Sequence, residues 1–514
     1  MRVSPRLFFA GSAACAVLLS PLLADAQQRT AEVANQQRPV ELAIASTLKA
    51  STNGNEAASG FEQRDLFLTV RPSVSLALSG ARLRLNGEVG ADFLVSKNKT
   101  QDNQILPFAR VGSRATLAER LLFLDAALDV HQVEQDRFAG RVEQGLGSTS
   151  ETASTLVLSP SLSHELDRDA SISARADFVW AKFSQTSTSD SRDERVSLRY
   201  DVKPRPLGGA VEVRGQNVRY DEVAANNWNS QAASVGPRYS INDEVVVGLV
   251  GGVERTSVPG SSQTDPLVGV NLLWAPSQRS QLATSVDDRF FGTGWNVALR
   301  HRTPTFSFSM RATRAPVLAG NDGAGSRSSL PAFLDSILTT RYPDPAERAA
   351  IVSSLVATRG LQSTIQGAAG ASANYAQLGQ GADAGIVFLG IRNTLSVSVY
   401  HSSLTQLARA DTGMLFPGSG LDDNRQAGAT LQMNRKITPI GAIDLSLNYS
   451  RVEGFNASTG DLTREGNARL AYVHQLAPRT TASMGATYRK VATNVAGETS
   501  FDEATLFVGM AHRF

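Results

Sequence analysis

Six histidines, at positions 131, 164, 301, 401, 474 and 512, are the first residues to test for chemistry. No two stand four apart and none is flanked by cysteine, so the spacings of a zinc site are missing. The only cysteine is Cys15. His131 shares one face of an extended segment with Asp125 and Asp129, the nearest approach to a hydroxyl, imidazole and carboxylate set, whose members converge only in space. A lone histidine of this kind is more often a hydrogen-bonded filler. Gly379-Gln380-Gly381-Ala382-Asp383-Ala384 mimics a dinucleotide fingerprint but leads into an apolar extended run instead of a helix, which removes that reading. No catalytic, metal or cofactor set follows, and the chain is read as a non-enzyme without a cofactor.

The charged residues carry more information. Arg71, Arg82, Arg84, Glu88 and Asp92 come from adjoining segments, as do Arg175, Asp177, Arg195, Arg199, Asp201, Glu212 and Arg214. On the wall of a pore, ladders of arginine bias passage towards anionic solutes such as acidic polysaccharide. The competing reading is that each arginine pairs with a carboxylate on the next strand and stiffens the wall. Acidic partners always lie close in sequence, which favours pairing. With 50 Lys and Arg against 48 Asp and Glu, the formal charge of +2 argues against a nucleic-acid partner.

These residues need strands to position them. From Leu66 to Leu78, Leu66, Leu68, Val70, Val74, Leu76 and Leu78 fall on one face, and Arg71, Ser73 and Ser75 on the other. A period of two makes two surfaces only in an extended strand. The pattern recurs at Leu83–Val95, Val196–Val202, Phe306–Met310 and Ile443–Tyr449. Such runs reach about 9–15 residues, nearer a tilted membrane strand than the five or six of soluble sheets.

Tight polar turns at Ser79–Arg82, Leu117–Arg120, Asp167–Ala170, Lys203–Pro206 and Ile241–Glu244 punctuate the strands. They continue at Pro276–Arg279, Arg302–Thr305, Ile391–Thr394, Thr438–Gly441 and Ala477–Thr480. Longer connections such as 135–152, 185–193 and 409–422 lie between them. Short and long connections alternate, as periplasmic turns and extracellular loops do in outer-membrane barrels. With a first strand near 41–52 and a last near 502–514, the expectation is an all-β, antiparallel up-and-down barrel of about 22 strands, within a range of 18–22.

The ends agree with export. Arg2 and Arg6 precede an apolar stretch from Leu7 to Leu23, and Ala24-Asp25-Ala26 offers a cleavage pattern, so residues 1–26 read as a signal peptide. Residues 27–40 form a short extension and 41–514 the barrel. About a dozen residues before the first strand are too few for a separate plug domain. The chain stops at Phe514 after an alternating segment with Gly509, which resembles the signal read by the outer-membrane assembly machinery; His512 departs from it.

One segment, 319–366, breaks the alternation. Asp344 reads as a helix N-cap, Pro345 as the first helical residue and Glu347 as the third residue after the cap. Ile351, Val352, Leu355 and Val356 then form an apolar stripe that Gly360 stops, while Leu334, Ile337 and Leu338 suggest a shorter helix before it. This insert either narrows or plugs the lumen, caps the mouth, or is a structured surface loop.

Taken together, Thr47-Leu48-Lys49-Ala50-Ser51-Thr52-Asn53, Val70-Arg71-Pro72-Ser73-Val74, Leu121–Ala126 with Gln132, Thr305–Met310 and Tyr342-Pro343-Asp344-Pro345-Ala346-Glu347-Arg348 carry a resemblance. The chain resembles the porin-type outer-membrane β-barrels associated with PEP-CTERM/exosortase and exopolysaccharide loci. It departs from them in having no aspartate beside Asn53. The resemblance implies a Gram-negative outer-membrane component linked to extracellular polysaccharide, with polysaccharide or its export components as partners and no assigned catalytic residues.

The expected function is therefore a pore or scaffold for exopolysaccharide export, set in outer-membrane lipid, with Asp344, Glu347, Ile351 and Leu355 on a gate helix. The alternative is an outer-membrane enzyme acting on lipid or glycan from a site in the barrel wall.

Overall fold

The computed structural model describes residues 39–134, 138, 150–184, 189–221, 226–317, 330–339, 342, 348, 351–352, 375–411, 415–416 and 423–514. The expected signal peptide with Ala24 and Ala26, most of the extension, and Asp344, Glu347, Leu355 and Gly360 lie outside these residues. The strands begin with β1 (Val40–Ser51), β2 (Asp65–Ser79), β3 (Leu83–Ser96), β4 (Gln104–Ala118), β5 (Leu122–Glu134) and β6 (Ser150–Glu165). Next come β7 (Ala170–Phe183), β8 (Ser191–Val202), β9 (Leu207–Tyr220), β10 (Trp228–Ser240), β11 (Val245–Val258) and β12 (Ser261–Ser277). β13 (Ser280–Arg289), β14 (Gly292–Arg302), β15 (Phe306–Val317), β16 (Gln377–Leu389) and β17 (Asn393–Gln406) follow. β18 (Asn424–Thr438), β19 (Gly441–Gly454), β20 (Leu462–Ala477), β21 (Thr480–Thr493) and β22 (Phe501–Arg513) complete the set. A helix, α1 (Leu330–Leu338), lies between β15 and β16, and Arg348, Ile351 and Val352 after it are also helical.

Each strand pairs antiparallel with the next in sequence. β22 returns to pair with β1 over nine residue pairs, from Ala43 opposite Arg513 to Ser51 opposite Thr505, and the Phe514 N–H donates to the Leu42 carbonyl at 2.8 Å. The sheet thus closes into a barrel of 22 strands, which leaves no unpaired edge. The ten tight turns expected from the sequence all join strands at one rim.

Period-two alternation has a direct physical outcome here. On β22, Leu506, Val508 and Met510 point outward and are 53–67 % exposed, while Phe507 is buried on the inner face. Exposed Leu42, Ile44 and Leu48 on β1 and Val268 and Val270 on β12 continue the same outward apolar band. Water would penalise a surface of this kind around an entire barrel; a bilayer does not. Strands of 10–17 residues are long enough to cross it. The protein is an outer-membrane β-barrel, and its short-turn rim corresponds to the periplasmic side of such barrels.

The long rim is less uniform than the sequence pattern suggests. β11–β12 and β13–β14 are joined there by short turns around Pro259-Gly260 and Phe290-Phe291, where longer loops are the norm. Among the described residues two large apolar clusters sit on the inner wall. One lies at this rim and the other surrounds α1.

Candidate functional site

The inner face of β2–β9 carries most of the charged residues singled out in the sequence. Register between strands and spacing of two along one strand both set them beside opposite charges. Arg71 on β2 donates from Nε to Asp92 Oδ1 on β3 at 2.6 Å. Arg175 reaches Asp177 at 2.8 Å and Asp125 at 3.5 Å. Arg195 donates to Asp193 at 2.9 Å, and Arg199 to Asp201 at 2.8 Å and Glu212 at 3.1 Å. Glu212 also accepts Arg214 at 3.4 Å, and Arg238, which the sequence pattern did not single out, joins Asp201 at 2.6 Å. Glu88 faces Arg110 in the register of β3 and β4.

Two residues behave differently. Arg82 lies in the β2–β3 turn, largely exposed and 3.7 Å from Glu119, so it is not on the wall. Arg84 lies on the wall directly opposite Arg114. With Arg175 and Asp125 these two arginines line a groove of about 390 Å³. Asp125 is 3.7 Å from Arg114 and 3.5 Å from Arg175. Like charges facing each other across a strand pair repel, and Arg84 makes no ion pair within 4.0 Å among the described residues, whereas Arg114 and Arg175 share Asp125.

The described part of the insert lies against the inner wall. Ile386 and Phe388 of β16 are exposed to the outside, so Val387 between them points inward. Val387 is fully buried with Phe333, Leu334, Ile337 and Leu338 of α1 and with Val352, while Tyr342 and Ile351 pack against the cluster. Gly385 makes the approach possible, because a Cβ there would stand 2.8 Å from the Phe333 ring. Ser336 donates to Ser307 at 2.6 Å and its carbonyl accepts Arg302 at 3.3 Å. Within the insert, Arg348 donates to Asp335 at 2.6 Å and to the Tyr342 carbonyl at 2.9 Å. Ser307, Arg302 and Val387 all lie next to short turns, whereas the insert leaves β15 and joins β16 at the opposite rim. The helix therefore docks roughly 33 Å along the strand from its own tethers.

At the long rim an aromatic cluster packs against the inner wall. Val218, Tyr220 and Trp228 point inward from β9 and β10, and Phe290 and Phe291 of the short β13–β14 turn, Leu407 and Phe416 join them. Trp228 lies 5.6 Å from Phe290 and 5.2 Å from Phe416, ring centre to ring centre. Buried Arg409 of the β17–β18 loop pairs with Asp265 of β12, spanning five strands. The Phe138 carbonyl, from the β5–β6 loop, accepts Thr463 of β20 at 2.6 Å. These contacts join residues far apart in sequence, and alternation along a strand carries no trace of them.

The remaining sequence candidates fall as follows. His131 sits on the inner wall with Nδ1 against Asp129, in ion-pair range but without hydrogen-bond alignment, and Asp129 also meets Arg110 at 3.3 Å. Gly379–Ala384 lies within strand β16. Gly509 packs inward, its Cβ position 3.0 Å from Ser483 Oγ and 3.1 Å from Thr47 Oγ1, and Phe514 stacks edge-on with His512 at 4.7 Å. Among the described residues no three His, Cys, Asp or Glu side chains group as a metal site requires, and no helix is long and apolar enough to cross a membrane.

No protein-family model matches the sequence, and no curated relative does. The structure is similar to the FrpB iron transporter from Neisseria meningitidis, with 9 % identity, a TM-score of 0.46, and coverage of 93 % of this chain and 83 % of that one. It is also similar to the siderophore receptor PiuA from Acinetobacter baumannii (9 % identity, TM-score 0.43, 94 % and 82 % covered). The ferric citrate transporter FecA matches at 10 % identity and a TM-score of 0.42, with 93 % and 80 % covered. These are likenesses of architecture.

Proposed function

We propose that this outer-membrane β-barrel is a gated conduit for extracellular polysaccharide, held shut by the segment between β15 and β16. The observation that carries this reading is the docking of α1 on the inner wall, far from its tethers and beside the short turns. A loop that only decorated the surface would gain nothing by crossing the lumen. The proposed cargo is acidic. The groove of Arg84, Arg114 and Arg175 around Asp125 offers more positive than negative charge, and the resemblance to exopolysaccharide-linked barrels points the same way. Polysaccharide export components on the periplasmic side would deliver it.

A cysteine pair tests the gate. Ser307 and Ser336 are in hydrogen-bond contact, close enough for a disulfide between replacing cysteines. The Ser307→Cys/Ser336→Cys protein in planar bilayers is expected to conduct little when oxidised and to open in larger steps when reduced. Equal conductance in both states would sink the gate. Separately, Arg84→Ala/Arg114→Ala is expected to lower the anion-to-cation permeability ratio measured from reversal potentials; an unchanged ratio removes the acidic cargo.

A further inference from the structure

The outer surface of β18–β21 breaks the rule that a membrane-facing wall is apolar. Arg425, Arg451, Arg464 and Lys490 all fall on the outward face, near the long rim. Arg451 of β19 stands directly opposite Arg464 of β20, a like-charge pair that costs stability unless an anion lies between. Two carboxylates share the patch. Glu453 accepts Arg451 at 2.7 Å and faces Arg425, and Asp502 faces Lys490. Four cations against two carboxylates leave the patch positive. Arg464 and Lys490 make no ion pair among the described residues.

The depth of the patch identifies what it meets. Exposed Tyr449 and Tyr488 lie two residues deeper on β19 and β21, and outward tyrosines mark the boundary between hydrocarbon and headgroups. The cations therefore sit at headgroup level. Immediately below, the outward face is hollowed into an apolar groove of about 620 Å³. Its floor is Ala50, Ala468, Ala486 and Ala504, drawn from β1, β20, β21 and β22. Leu470, Leu506 and Tyr488 form its ridges, and Arg64 of the β1–β2 loop caps its upper end, adding a fifth cation.

We infer that β18–β1 hold one outer-leaflet lipid with a phosphorylated headgroup, its phosphates on Arg451, Arg464, Lys490 and Arg64 and an acyl chain in the alanine-floored groove. Phosphate between Arg451 and Arg464 relieves their repulsion, and guanidinium groups bind its oxygens in a fork. A zwitterionic lipid fits less well, because its own cation would face the patch. A second copy of the barrel would bring another set of the same cations against this one, so charge favours lipid over self-association.

The test uses the purified protein in detergent micelles, examined by native mass spectrometry with diphosphorylated lipid A, dephosphorylated lipid A or phosphatidylethanolamine. One diphosphorylated lipid per barrel is expected. Arg451→Ala/Arg464→Ala should bind it about tenfold more weakly or worse, as expected for losing charge-assisted bonds. Ala486→Leu, which fills the groove while keeping a lipid-compatible side chain, should also weaken binding and supports the test should the arginine variant fail to fold. A second outward pair on β8 and β9, Arg192 opposite Arg219, provides a control whose replacement leaves binding unchanged. Equal binding by the Arg451/Arg464 variant, equal affinity for the lipids without phosphate or with phosphatidylethanolamine, or a lipid-free dimer would each overturn the inference. Conductance does not enter, so the outcome is independent of the gate.

Discussion

Glu56 and Gly385 show how much single residues decide in a barrel. Glu56 sits in the β1–β2 loop and accepts Arg489 of β21 at 2.9 Å, while Arg489 also holds Glu465 at 2.8 Å. Burial pushes the Glu56 carboxyl up from its ordinary value, and Arg489 only partly counters this because Glu503 and Glu465 crowd the same arginine. A raised folded-state pKa contributes stability that is present below the unfolded glutamate range and is lost as pH rises through the folded value. The protection of amides in residues 52–64, after division by the base-catalysed intrinsic exchange rate, should therefore fall as pH rises from acid to neutral. Glu56→Gln should flatten that dependence, and a profile identical to wild type would refute the account. Gly385 is decided by contact alone. Gly385→Val would force Phe333 away, since overpacking costs roughly 1–3 kcal/mol, and α1 should undock, read as larger single-channel steps than wild type.

Among the elements, strands were legible and their interior furniture was not. Alternation such as Leu66, Leu68 and Val70 against Arg71 and Ser73 reports which face a residue takes, and polar turns such as Asp167–Ala170 report where the chain reverses. Together they reach all 22 strands, including the closing one at Phe501–Arg513. The α1 stripe of Leu334, Ile337 and Leu338 was visible as a helix because its spacing is local. That it docks on Val387 was not, because the partner lies about fifty residues on and belongs to a different period. Arg82 was placed on the wall by parity, but a turn residue has no face to keep. The aromatic cluster escaped for the same reason as the docking, since Trp228, Phe290 and Phe416 meet only in space. It also makes a prediction. Trp228→Ala removes the ring that both phenylalanines lean on, a loss of about 3–5 kcal/mol for a buried aromatic. Protease cleavage within residues 407–423 should then become faster in intact barrels. Unchanged cleavage would show that Trp228 does not hold the loop.

For the whole molecule, what holds the barrel together and what lines it are separable. Backbone pairing runs unbroken around 22 strands, and each peptide group it satisfies would be costly to leave bare in hydrocarbon. The Arg199 section of the charged ladder is partly exposed to the lumen, where ion pairs contribute about 0–1 kcal/mol each. Arg199→Ala is therefore expected to shift the urea unfolding free energy by no more than about 1 kcal/mol while altering the reversal potential. A large loss of stability with unchanged selectivity would reverse that assignment.

The insert is anchored to β15 and β16 at the long rim yet rests beside the short turns, and a body tethered at one end of a tube and seated near the other does not respond alike to pushes from both sides. Traffic arriving from the short-turn side would lift α1 back along its tether, whereas traffic from outside would press it towards its seat on Val387 and Gly385. Under the proposed gating, such a part would act as a check valve. Its electrical signature would be rectification, a current that depends on the sign of the applied voltage in the intact protein and becomes symmetric once residues 319–366 are removed.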